Sequence, residues 1–103
     1  MGQTTNANEG GGETGVTVVV RYWAAARAAS GVEADVLEIG SGATLSQVLE
    51  SVRSRHLDRP RLTEVISVCS VLVGDRPVGT TDPNQVLVRP GDTIELLPPF
   101  AGG

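Results

Sequence analysis

The chain has 103 residues, of which 40% are apolar and 19% charged, and its net charge is −4. A chain of this length forms one domain and buries roughly 60–65% of the surface that its unfolded form exposes. All eight basic residues are arginine, which excludes a P-loop nucleotide site and a Schiff base, because both need a lysine. One cysteine and one histidine are too few for a zinc finger or an iron–sulfur cluster, and we expect no metal site.

Partners of two kinds are disfavoured by the same composition. The acidic balance argues against nucleic acid, and no segment approaches the roughly 20 apolar residues that cross a membrane.

Residues 1–15 hold five glycines and no large apolar side chain, so they predict a flexible N-terminal extension. This extension lacks the features of a secretory signal, and we expect a cytoplasmic protein.

The first predicted elements lie between residues 16 and 39. Residues 16–23 (VTVVVRYW) alternate as a β-strand, which places Trp23 and Tyr22 on opposite faces. The alanine-rich residues 24–30 predict one or two helical turns that end at Gly31. A second strand is predicted at about 33–39, where Val36 alternates with acidic neighbours.

A helix is predicted next, at about residues 45–56. Thr44 and Gln47 have the spacing of a capping box, and four apolar residues fall on one face at helical spacing: Leu45, Val48, Leu49 and Val52. Pro60 breaks this helix, and a short second helical piece is predicted after it.

The remaining elements are strands and turns. Strands are predicted at 68–73, near 86–89 and at 93–97, and the Pro–Gly centre of residues 89–92 predicts a type II turn. Two N-terminal strands, a helix and C-terminal strands predict an α+β domain with a mixed sheet and a helix packed on one face, closed most simply as a β-grasp roll. We divide the chain into the extension 1–15, a domain 16–97 and an extended tail 98–103.

The tail carries the most informative chemistry. Pro98 and Pro99 end the last strand and favour a stiff, extended exit, and six extended residues reach about 20 Å at most. Gly102 and Gly103 lack Cβ atoms, so this end of the chain fits a narrow channel. The terminal carboxylate of Gly103 is ionised at neutral pH, since its ordinary pKa is about 3.3–3.7.

The segments RYWAAARAASG and LPPFAGG resemble the MoaD/ThiS sulfur-carrier family, and the resemblance covers residues 16–103. It implies a ubiquitin-like β-grasp fold and a reaction at the terminal glycine, here Gly103. An E1-like adenylyltransferase adenylates that carboxylate with Mg-ATP, and a sulfur donor protein converts it to a thiocarboxylate. The resemblance implies no cofactor bound by this chain, because Mg-ATP is used by the activating partner.

The opening segment resembles the branch of small subunits of molybdopterin synthase. In that enzyme the tail enters the large subunit, which builds a dithiolene from cyclic pyranopterin monophosphate. Three alternatives stay open: a sulfur carrier for cysteine or thiazole synthesis, a ubiquitin-like modifier joined through Gly103 to lysines of other proteins, and a passive interaction module.

The resemblance also implies partner-binding residues. Trp23 and Leu97 are predicted on the sheet face away from the helix and match apolar positions of the family's docking patch, the alternative being that loops cover them. Arg27 lies where family members often have arginine. Ala101 and Gly102 belong to the inserted tail. Phe100 departs from the small residue common there, and it either enters a partner pocket or packs on the domain.

Other polar residues receive structural interpretations. Cys69 alternates with core valines and is predicted to be a buried thiol, and three aspartates beside turn residues are predicted to cap turns: Asp75, Asp82 and Asp92. An arginine-rich stretch near the helix end is interpreted as a solvated face, with a docking patch as the alternative: Arg53, Arg55, His56, Arg59 and Arg61.

Overall fold

A five-stranded mixed sheet forms the centre of the described part of the chain, residues 16–99 of a computed structural model. Its order is β2-β1-β7-β4-β5, and β1 pairs with β7 in parallel while the other neighbours are antiparallel. A separate antiparallel pair joins β3 to β6. The strands are β1 Thr17–Tyr22, β2 Ala34–Glu38, β3 Ala43–Thr44, β4 Ser70–Val73, β5 Arg76–Pro77, β6 Leu87–Val88 and β7 Thr93–Leu97.

Three α-helices connect these strands, α1 Ala24–Ser30, α2 Leu45–Arg55 and α3 Pro60–Ile66, and a short 3-10 helix spans Pro83–Gln85. The capping box is confirmed, because the Gln47 amide donates to Thr44 Oγ1 at 3.1 Å and the Thr44 amide donates to Gln47 Oε1 at 2.9 Å. All four apolar residues predicted on one face of α2 are buried. None of the helices within residues 16–99 has the length and apolarity to cross a membrane.

Two predicted strand boundaries were wrong by one or two residues. The first strand ends at Tyr22, because the Trp23 carbonyl already accepts from the Ala26 amide at 2.8 Å and starts α1. The strand predicted from residue 68 begins at Ser70 instead. The amides of Val68 and Cys69 donate to carbonyls at the end of α3, each at 3.1 Å, and are therefore used in a turn.

The core lies on one face of the sheet. The alternation predicted for β1 is confirmed at Val18, Val20 and Tyr22, which are all buried. In β7 the buried residues are Ile94 and Leu96. All three α-helices contribute residues to the same cluster, so they pack on this core face. The opposite face presents the alternate residues of each strand. It is called here the open face.

The predicted type II turn and two of the three predicted aspartate caps are confirmed. Gly91 has a φ of 92°, which suits the third position of a type II turn, and the Asp92 amide donates to the Arg89 carbonyl at 3.0 Å. Asp92 Oδ2 accepts from the Arg89 amide, and Asp82 Oδ1 accepts from the Asn84 amide, both at 2.9 Å. Asp92 and Asp82 therefore stabilise turns.

A buried carboxylate joins β2 to β1 and α2. Asp35 is 8% exposed while Val36 is 56% exposed, so Val36 faces outward, and Asp35 faces inward on the same side as the buried Leu37. The Tyr22 hydroxyl donates to Asp35 Oδ2 at 2.6 Å, and His56 Nε2 lies 2.6 Å from the same oxygen. Since an ionised carboxylate only accepts hydrogen bonds, Nε2 carries the proton. Arg55 Nε lies 3.3 Å from Oδ1.

These contacts fix the ionisation of the two acids. Burial by itself would raise the pKa of Asp35, but hydrogen bonds from Tyr22 and His56, with the charges of His56 and Arg55, lower it below its ordinary 3.8. Burial, together with the hydrogen bond to Asp35 and the Asp35 charge, raises the pKa of Tyr22 above 10.0. The pair therefore consists of a carboxylate and a protonated phenol at neutral pH.

Asp35→Asn is expected to lower the free energy of unfolding at pH 7 by about 1.5–3 kcal/mol, because charge-assisted hydrogen bonds are lost in a buried place. A lowered folded-state pKa means that the contribution of Asp35 is present above its unfolded value of 3.8 and is lost as the pH falls through the folded value. Urea unfolding of both proteins between about pH 7 and pH 2 measures the difference, which should shrink towards acid.

Asp75→Asn is the matched control for this series, because Asp75 is exposed in the turn between β4 and β5. It is expected to change the free energy of unfolding by less than about 0.5 kcal/mol. A stability difference between wild type and Asp35→Asn that stayed constant towards acid would contradict the ionised state of Asp35.

The junction between β1 and α1 is strained. Ala24 has a φ of 48°, in the left-handed region that costs a residue with a Cβ about 1–2 kcal/mol. The strained residue lets the chain pass from strand to helix directly after Trp23.

Ala24→Gly is expected to raise the free energy of unfolding by about 0.5–1 kcal/mol, since glycine adopts a positive φ without strain. Ala25→Gly, at the next position of α1, is expected to lower it by about the same amount, because there glycine only loses helix propensity. Thermal and urea unfolding of the two variants measure these opposite signs. A loss of stability in both variants would argue against strain at Ala24.

Candidate docking face and tail exit

The tail leaves from the middle of the sheet. Strand β7 lies between β1 and β4 and ends at Leu97, and Pro98 and Pro99 follow outside the ladder. Proline has no N–H to donate to a sheet and thereby ends the strand. The predicted tail residues Phe100, Ala101, Gly102 and Gly103 lie outside the described residues.

Trp23 and Leu97 lie next to each other on the open face, as the alternation predicts. Tyr22 pairs with Leu96 across β1 and β7, so the residues that follow them, Trp23 and Leu97, lie side by side. The Trp23 amide donates to the Leu96 carbonyl at 3.2 Å. Both side chains are half-buried, and together they form an apolar spot at the base of the tail.

Two charged residues contact the Trp23 ring. The indole Nε1–H donates to Glu95 Oε1 at 3.1 Å, and the guanidinium carbon of Arg21 lies 5.1 Å from the ring centroid. Glu95 and Arg21 are opposite each other in the β1–β7 register. The alternation predicted for residues 16–23 implies that Arg21 shares this face with Trp23. Glu95 was not predicted as a site residue, although the period-2 pattern of β7 puts Glu95 and Leu97 on the same side.

Arg27 lies one helical turn after Trp23. Its amide donates to the Trp23 carbonyl at 3.3 Å, and its carbonyl accepts from the Gly31 amide at 2.8 Å. The guanidinium lies 3.8 Å from Glu33, and the side chain is 46% exposed. Arg27 is therefore accessible one helical turn after Trp23.

Part of the arginine-rich stretch is paired within the chain. Arg53 lies 3.6 Å from Glu50, and Arg55 binds Asp35 and donates to the Val36 carbonyl at 3.4 Å. The position of Arg55 covers an outward carbonyl of the edge strand β2. His56 is mostly buried, with 11% of its side chain exposed, and belongs to the Asp35 network.

Cys69 is half-buried and packs against the core, less deeply than predicted. Burial raises the pKa of its thiol to about 11, so the thiolate is scarce at neutral pH. Within residues 16–99, no cluster of three or more histidine, cysteine, aspartate or glutamate side chains is placed to hold a metal ion.

A mixed sheet in which the first and last strands of residues 16–99 pair in parallel at the centre, with helices on one face, defines a ubiquitin-like β-grasp protein. The solved small archaeal modifier protein 1 of Methanosarcina acetivorans has this fold. Its TM-score is 0.66 at 23% identity, over 86% of this chain and 98% of that one.

The chain belongs to the ThiS family, whose model matches residues 20–103. It is 28% identical to the molybdopterin synthase sulfur carrier subunit of Chlamydomonas reinhardtii, over 84% of this chain and 98% of that protein. A solved protein–protein complex of subunits 1 and 2 of the molybdopterin-converting factor from Helicobacter pylori contains a chain of the same fold. The TM-score is 0.53 at 24% identity, over 84% of this chain and 99% of that one.

Cys69 is expected to react with iodoacetamide at pH 8 about 100-fold more slowly in the folded protein than in urea, because the unfolded thiol has an ordinary pKa near 8.5. Mass spectrometry of the alkylated protein over time gives both rates, and glutathione alkylated in the same buffers corrects for urea. Equal rates would show that the thiol is not held in the core.

Proposed function

We propose that this chain is a sulfur carrier that acts as the small subunit of molybdopterin synthase. The observation that carries the proposal is the family match, which runs through the terminal Gly-Gly to residue 103. The relative from Chlamydomonas reinhardtii, a molybdopterin synthase sulfur carrier subunit, is matched over nearly its whole length. The exit of the tail beside Trp23 and Leu97 supports the same function.

The reacting group in this proposal is the carboxylate of Gly103. A carboxylate resists substitution because oxide is a poor leaving group. Its attack on the α-phosphorus of ATP, catalysed by an E1-like adenylyltransferase with Mg²⁺, releases pyrophosphate and forms an acyl-adenylate. Attack by the sulfur of a donor protein then breaks the acyl–phosphate bond, and AMP leaves. When the donor carries this sulfur as a persulfide, the product is an acyl disulfide. A thiol then attacks the donor's sulfur, which forms a disulfide with the donor and releases the thiocarboxylate as the sulfur nucleophile.

The tail delivers this group over a distance. Pro98 and Pro99 stiffen its base, and residues 98–103 span about 20 Å when extended. Gly102 and Ala101 have small or absent side chains, which suits insertion into a narrow channel. Phe100 is proposed to enter a partner pocket at the mouth of that channel.

The docking surface in this proposal consists of Trp23, Leu97 and Arg27. Exposed apolar patches and arginine are both typical of protein interfaces. The proposed partners are the large subunit of the synthase, which receives the thiocarboxylate and transfers its sulfur to cyclic pyranopterin monophosphate, and the activating enzyme, which needs the same tail. The Helicobacter pylori complex supports assembly with a second subunit, because it pairs a chain of this fold with one.

The intact mass of the chain tests the carrier function. After incubation with the E1-like enzyme, Mg-ATP and a sulfur donor, the mass is expected to rise by the difference between sulfur and oxygen. Addition of the large subunit and cyclic pyranopterin monophosphate is expected to return it to the original mass. Conjugates with lysines of other proteins, without thiocarboxylate, would instead favour the ubiquitin-like modifier.

Deletion of Gly103 is expected to abolish thiocarboxylate formation and leave thermal unfolding unchanged. The shortened chain still ends in a glycine carboxylate, so the deletion tests the length of the tail and not the chemistry of its end. It moves the carboxylate by about 3.5 Å, which exceeds the misplacement that costs 100-fold in rate. Intact mass and the melting temperature are the two readouts. Deletion of Met1 is the control, and a Gly103 deletion that still gained sulfur would contradict the proposed site.

A further inference from the structure

The Trp23 side chain is partly exposed, yet two polar contacts hold its ring in place. Its Nε1–H donates to Glu95 at 3.1 Å, and Arg21 lies over the ring at 5.1 Å. The backbone is fixed as well, because the Trp23 amide donates to Leu96 and the strained Ala24 follows directly. Ring, backbone and helix start are thereby held in one arrangement.

We infer that Glu95 and Arg21 are positioning residues, which hold the Trp23 indole as a rigid anchor for the large subunit of the synthase. The inference rests on the proposed function and adds to it the residues that set affinity through Trp23. A side chain already fixed in its bound orientation loses little conformational entropy on binding, so its contact area contributes more to affinity.

The position of the anchor explains why rigidity is useful at this point of the chain. Trp23 and Leu97 lie side by side at the base of the tail, and only six residues separate Leu97 from the terminus. A partner that binds the indole in one orientation fixes the position of the tail's first residue. The stiff Pro98–Pro99 segment then limits where the reacting carboxylate can lie.

The chemistry of the Glu95 contact predicts different consequences for different substitutions. Glu95→Gln keeps an oxygen that accepts from the indole but removes the charge, whereas Glu95→Ala removes the acceptor. If Glu95 acts through Trp23, glutamine restores binding and alanine does not. If Glu95 contacts a cation of the partner directly, both variants lose affinity.

The free chain gives the first test, because Trp23 is its one tryptophan. Time-resolved fluorescence anisotropy is expected to show an indole that rotates with the whole domain in the wild type and in Glu95→Gln, and a fast local motion in Glu95→Ala. Unchanged local motion in Glu95→Ala would overturn the inference. The melting temperatures of all variants show that the domain is folded.

Affinity for the purified large subunit gives the second test, by isothermal titration calorimetry. Glu95→Ala is expected to weaken binding about tenfold, because the released indole must then be ordered on binding. Glu95→Gln keeps the indole ordered and is expected to stay within about twofold of the wild type. In a Trp23→Phe background, which has no indole N–H, Glu95→Ala is expected to add no further loss.

Glu38→Ala is the matched control, since Glu38 is exposed at the far edge of the open face and carries the same charge. It is expected to bind like the wild type. Wild-type affinity in Glu95→Ala, or an equal loss in the Trp23→Phe background, would overturn the positioning role alone. Failure of the wild-type chain to bind the large subunit would overturn the proposed function as well, while the anisotropy of the free chain would still report whether the ring is held.

Discussion

Strands β1 and β7 pair in parallel at the centre of the sheet, with Val20 opposite Ile94 and Tyr22 opposite Leu96. This pairing joins the first strand of the described chain to its last strand, which are more than 70 residues apart in the sequence. The cost of closing so long a loop is recovered by burial of both strands on the core face. The same pairing brings Trp23 beside Leu97, so the proposed docking surface and the tail exit both depend on it.

Much of this arrangement is visible in the sequence because it is local. The capping box of Thr44 and Gln47 and the type II turn at Gly91 each rest on residues within four positions of one another. The alternation in β1 and β7 assigns Trp23 and Leu97 to one face for the same reason. The chemistry of the terminal carboxylate follows from the residue types alone, and its assignment to a reaction came from resemblance to a family.

The Asp35 network could not be predicted, because its partners come from other elements. Tyr22 is 13 residues away and His56 is 21 residues away, and only the folded chain brings their donors to one carboxylate. By polarity alone, Val36 would face the core and Asp35 the solvent. The structure has the reverse, since two buried donors make a buried carboxylate acceptable. Glu95 was missed for a related reason: its partner Trp23 lies 72 residues away.

Neighbouring residues in the two central strands therefore have separate tasks. Tyr22 faces the core and binds Asp35, while Trp23 faces outward and binds Glu95. Leu96 is likewise buried on the core face, whereas its neighbours in the sequence, Glu95 and Leu97, lie on the open face. Because the two faces share a backbone but not side-chain contacts, the Asp35 network can stabilise the fold without restricting the residues of the open face. Rigidity on the open face must then be supplied on that face itself, and Glu95 and Arg21 are the groups that contact the ring there.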